Sequence, residues 1–227
     1  MKAEERYHAA LAATAAGRYE EALREHIWFH DHALEEQPSL YGVRLSYALS
    51  DWVELANRYP PALVALKAIR DAKSDRLARG DGDRRLFHDV RAINEQLGQQ
   101  ELTHELFVRL QETYPALAEK CADLAMASIV SAKDFDLARK LVRDPDGAIR
   151  RWSRILNEDI ADLANEPPSN APRFDAYVDY YVTQVRLLLD VFIGVGEMEI
   201  AESLRESALA AVESPPARDA VRAALHA

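Results

Sequence analysis

Apolar and polar residues in this chain seldom alternate over the short stretches that mark strands. Ala and Leu dominate, so the local preference is helical throughout. Turn signals cut the pattern into segments, and the spacing predicts helices over 3–16, 19–37, 40–57, 60–79, 83–97, 99–113, 116–131 and 134–143. Further helices are expected over 147–165, 173–194, 197–213 and 215–226. Pro60 and Pro61 suit a helix start, where a missing N–H donor does no harm. The stretch Glu166-Pro-Pro-Ser-Asn-Ala-Pro172 cannot be helical and is the one clear linker, a candidate hinge before the last helix pair.

One phrase recurs along these segments. Gly17 is followed by Tyr19 and Ala22, and later by Pro38; Gly196 is followed by Met198 and Ala201, and later by Pro215. Between them, Asn57-Arg58-Tyr59 leads to Ala62, Lys133-Asp134-Phe135 leads to Ala138, and Gly98 leads to Thr103 in the weakest copy. Each part has a local physical reason. Gly or Asn at the turn can take the left-handed conformation that ends a helix. The large residue two later fills the gap between paired helices, and the small residue five later sits where they approach most closely. Proline after the second helix stops it.

With Gly17, Tyr19, Ala22 and Pro38 as its best copy, the chain resembles the tetratricopeptide repeat family along roughly its whole length. The turn residues stand at 17, 57, 98, 133 and 196, wider apart than the family's 34-residue unit, so the units are lengthened and degenerate. The widest gap needs the additional helix at 147–165. The resemblance implies an all-α, right-handed solenoid of antiparallel helix pairs, with 11–12 helices in one domain over 1–227. The segment 215–226 would cap the stack.

Charge narrows the partners. The formal net charge is −10, so nucleic acid and anionic membrane are not expected to bind. Arg84-Arg85 and Arg150-Arg151 with Arg154 read as solvated helix faces. Cys121 is the only cysteine, which excludes an intrachain disulfide and a Cys-based metal cluster, and its apolar neighbourhood predicts a buried, inert thiol. The opening residues Met-Lys-Ala-Glu-Glu-Arg carry acid where a signal peptide needs an apolar run, and no segment has the length of a transmembrane span. A cytoplasmic address is the expectation.

In stacked helix pairs the first helix of each pair lines the inner, concave face, so residues a fixed distance before each turn should form stripes along it. One stripe is Tyr7, Tyr47 and His88; beside it stand Arg44 and Arg85, and Asp51 lies on a third. Rings with guanidinium groups are what a peptide groove needs: rigid contact area, and donors for carboxylates or carbonyls. The same spacing also fits ordinary contacts between helices. Some members of the resembled family hold a partner's C-terminal carboxylate with Lys, Asn and Arg on these stripes. Here the corresponding places hold Tyr7 and Leu11, then Tyr47 and Asp51, so the resemblance does not extend to that function.

A second unusual stretch runs from Arg24 to His32. His26 and His30 are four apart and share a helix face, as metal-ligating pairs do. The zinc-protease pattern needs Glu directly after the first His, and Ile27 stands there instead. His26, Trp28, His30 and Trp52 are therefore read first as a packing interface, and second as a ligand pocket, with no metal and no cofactor expected. No nucleophile elbow, phosphate loop or complete calcium loop occurs. The leading functional expectation is a non-catalytic scaffold that binds a protein or peptide partner. The alternative is a small-ligand- or metal-dependent sensor or enzyme centred on His26 and His30. A third reading makes 173–194 and 197–213 the face of a homodimer.

Overall fold

The computed structural model describes residues 2–163 and 173–226. Among these the chain is all-helical, without a strand. Its helices are α1 (Ala3–Ala15), α2 (Tyr19–Glu36), a 3-10 turn (Pro38–Leu40), α3 (Tyr41–Leu45), α4 (Tyr47–Arg58), α5 (Pro60–Ala78) and α6 (Arg84–Gln96). They continue with α7 (Gln100–Thr113), α8 (Pro115–Ser131), α9 (Phe135–Leu141), α10 (Pro145–Leu163), α11 (Arg173–Gly194), α12 (Met198–Ala210) and α13 (Pro215–His226). None of the helices is long and apolar enough to cross a membrane, among the described residues. The proline-rich linker predicted at 166–172 lies outside the described residues.

Contacts divide the chain into two compact units, Met1–Ser128 and Ile129–Ala227. In the first, α1 packs on α2, α4 on α5, α5 on α6 and α6 on α7. Helices also meet their next neighbours but one, α2 with α4, α4 with α6 and α5 with α7. The core of this unit runs from Ala13 and Ala22 through Leu49, Trp52 and Leu55 to Leu66 and Ile93. In the second unit α11 is the central helix and packs against α9, α10, α12 and α13. It buries Tyr181, Val185, Leu189 and Phe192, among other residues.

The small residues of the recurring phrase fall where expected: Ala22, Ala62, Thr103, Ala138 and Ala201 are all buried. Thr103, the one polar member, accepts a bond from Asn94 Nδ2 at 3.0 Å. Gly17, Gly98, Lys133 and Gly196 all take positive φ at their turns.

Two local expectations are corrected. Asn57 is not a left-handed turn residue; it lies inside α4. Its turn is made by Tyr59, extended at φ −138° and ψ 92°, because the following Pro60 bars that residue from the helical region. The helix predicted over 40–57 is also interrupted. Ser46 breaks it at φ −124° and ψ −92°, and its hydroxyl turns back to the Gly42 carbonyl at 2.8 Å. That break separates the short α3, which carries Tyr41 and Arg44, from α4.

Candidate functional site

The residues singled out by sequence fall into two neighbouring places in the first unit. The first is the core around Trp52. Its indole Nε1 donates to the Ala62 carbonyl at 3.0 Å, which fixes the ring in place. His26 stacks on it with centroids 5.6 Å apart, and His30 meets it edge-on at 6.2 Å. The two histidines are only 1% and 4% exposed. Trp28 does not join them. Residues two apart on a helix point to different faces, and Trp28 instead lies under the Arg6 guanidinium, 4.1 Å from its carbon, and tilts against His32.

Burial lowers the pKa of His26 to about 4, with Asp51 opposing. His30 falls to about 3, through burial first and then the charges of Arg44 and Lys73, with Asp89 opposing. Both imidazoles are therefore neutral at physiological pH. His26 Nε2 has no hydrogen-bond partner among the described residues. Among the described residues no group of three or more His, Cys, Asp or Glu could hold a metal ion.

The second place is a buried charge cluster that joins four helices. Arg44 from α3 donates to Asp89 of α6, and Lys73 from α5 donates to the other oxygen of the same carboxylate. Arg44 Nη1 also donates to the His30 carbonyl of α2 at 3.1 Å, and stands 3.2 and 3.3 Å from the two nitrogens of that imidazole. Burial by itself would raise the pKa of Asp89; Arg44 and Lys73 more than offset it and hold the carboxyl below its usual range. A buried charge with two cationic partners is satisfied, whereas either side alone would be costly.

The predicted groove stripes are thus divided by the structure. Tyr7 donates to Asp51, linking α1 to α4, and its ring stacks on Phe29 at 5.0 Å. Tyr41 and His88 Nδ1 share a hydrogen bond of 2.8 Å between α3 and α6. Arg44 is a buried structural cation rather than an open donor. Tyr47 is 72% exposed. Arg85 is also exposed and makes no ion pair or hydrogen bond among the described residues. Its neighbour Arg84 is engaged, with Nη2 on Asp123 Oδ2 at 2.7 Å, which links α6 to α8.

A surface cavity of about 550 Å³ opens beside the charge cluster, lined by Leu34, Tyr41, Arg44, Arg85, Leu86 and Asp89, together with the loop at 80–83. The loop is held close: Gly80 is at φ +77°, and the Tyr114 ring lies where a side chain at that position would stand. Sequence reasoning found Arg44 and Arg85 but missed Lys73, Asp89 and Tyr41. A signal existed for Asp89, a carboxylate flanked by Phe87 and Val90 on the apolar face of α6, which demands a cationic partner.

Cys121 is buried, and its thiol is pushed up to about 11, chiefly by burial, so it is protonated at physiological pH. No family model, no curated protein and no solved structure matches this chain. Function must therefore be argued from the site itself.

Proposed function

We propose that this chain is a non-catalytic interaction protein whose helices stack in a tetratricopeptide-like solenoid. A peptide or helix of a partner would lie along the surface that carries Tyr7, Tyr47, Asp51, Arg85 and His88. The supporting observation is the succession of polar ties from helix to helix: Tyr7 to Asp51, Tyr41 to His88, and Arg84 to Asp123. These ties join α1 to α4, α3 to α6 and α6 to α8, the elements expected to line one face. Beside them the Tyr47 ring and the Arg85 guanidinium are left to solvent, and these are residue types that anchor protein interfaces.

The sensor or enzyme reading has less support. His26, His30 and Trp52 are packed into the core, and His30 is occupied by Arg44. Their packing favours an interface between helices, although His26 Nε2 finds no partner in it among the described residues.

Site-specific photocrosslinking tests the interaction reading. With a benzophenone amino acid at position 47, adducts with partner protein are expected in cells, whereas the same group at Val64, 68% exposed on α5, should give none. The double variant Tyr47→Ala/Arg85→Ala should lose partner capture with its circular dichroism unchanged. Equal adducts from both positions, or a loss of fold together with capture, would remove the reading.

A further inference from the structure

We infer that the cavity between α3 and the start of α6 takes one acidic side chain of a partner peptide, with an apolar neighbour of that side chain resting on Leu34, Tyr41 and Leu86. This deepens the interaction reading above and depends on it. The charge inventory of the cavity carries the inference. Its three carboxylates are all engaged: Asp81 with Arg76 at 3.3 Å, Asp83 as the cap of α6, accepting from the Leu86 N–H at 2.9 Å, and Asp89 with Arg44 and Lys73. Of the cations in and beneath it, Arg44, Lys73 and Arg76 are used by those same carboxylates. Arg85 is left over, exposed at the rim without a partner among the described residues.

Arg44 marks the same spot from below. It is almost wholly buried and contributes to the cavity wall, with its charge committed to Asp89. On a chain of net charge −10, a cavity whose lining sets three arginines against three aspartates, with Lys73 also bound to Asp89, is a local relief of negative charge. A guanidinium presents a planar fork that suits a single carboxylate. Engaged Asp81 and Asp83 at the rim disfavour a second negative charge beside the first. The class selected is therefore a peptide with one Asp or Glu next to an apolar residue, not an acidic run and not a polyanion.

The test is selection from a random heptapeptide display library on the full chain, followed by fluorescence-anisotropy titration of the enriched peptides. Enriched sequences should carry one Asp or Glu beside Leu, Ile, Phe or Met, and replacing that acid by its amide should weaken binding at least tenfold. Arg85→Glu should abolish these peptides and select Lys or Arg in their place, while Arg151→Glu, an exposed arginine of the second unit, should change nothing. Enriched peptides with no acidic preference, or insensitive to Arg85→Glu, would overturn the carboxylate site and leave the interaction reading standing. A library that yields no binder at all would overturn both.

Discussion

The indole nitrogen of Trp52 donates to the carbonyl of Ala62, 3.0 Å away, so the largest side chain of α4 is tied to the first turn of α5 at a residue with no exposed surface. The bond forms only because the residue at 62 is small enough to let the two helices close on each other.

Ala62→Leu should therefore destabilise the protein by about 1–3 kcal/mol, since the larger side chain must displace Trp52 or part the helices. Thermal melting and near-ultraviolet dichroism would both report it. A variant that melts like the parent would show that the contact has slack.

The charge cluster should behave asymmetrically. Asp89→Ala leaves Arg44 buried without its counter-charge and should cost about 3–5 kcal/mol in urea unfolding. Lys73→Ala removes the more solvated partner and should cost clearly less. The joint replacement Arg44→Met/Asp89→Leu should recover part of the loss, because the most deeply buried pair is gone and only the more solvated Lys73 keeps its charge. If the double variant is as unstable as Asp89→Ala, the cluster stabilises by some means other than charge compensation.

Acid should weaken the fold through the two core histidines. Both folded-state pKa values, about 4 for His26 and about 3 for His30, lie below the ordinary 6.5. Between 6.5 and those values the unfolded chain binds protons that the folded chain refuses, so stability falls as pH falls. Each histidine contributes a limiting slope of about 1.4 kcal/mol per pH unit across that window and nothing above it. His26→Phe, whatever its effect at neutral pH, should remove one of the two slopes. Urea titrations at several pH values between about 7 and 5 would show this, and a flat profile would contradict it.

Gly194 closes α11 against the face of Phe135. A methyl group there would stand 2.2 Å from the ring carbon Cγ. Gly194→Ala gains about 1 kcal/mol of helix propensity at most, and overpacking should outweigh it with a net loss of stability on melting. The pair Gly194→Ala/Phe135→Leu should melt above the single variant.

The helix map was largely legible because its signals are local: proline, glycine and the length of apolar segments. Ser46 was not, since serine is tolerated within helices and only its hydroxyl's bond to Gly42 reveals the break. Asn57 is a misleading signal because its tolerance of the left-handed region is overridden by the stronger restriction that Pro60 places on Tyr59. Of the site, Arg44 and Arg85 could be named from register. Their opposite fates, one sealed against Asp89 and one left in water, depend on Asp89, which meets Arg44 and Lys73 only after the helices have packed. Trp28 shows the same limit from the other side: proximity in sequence placed it with His26 and His30, and helical geometry separated it.

Helices that mainly touch their neighbours can fray from an end, one after another, at little cost each. The cluster of Arg44, Asp89 and Lys73, which ties α2, α3, α5 and α6 together, works against such unravelling. Peeling α2 away uncovers His30, and loosening α5 or α6 strands an ion in a medium that cannot solvate it. These helices should exchange their amide hydrogens as one cooperative block, and the first unit should melt in a single step where a plain stack of helices would melt by degrees.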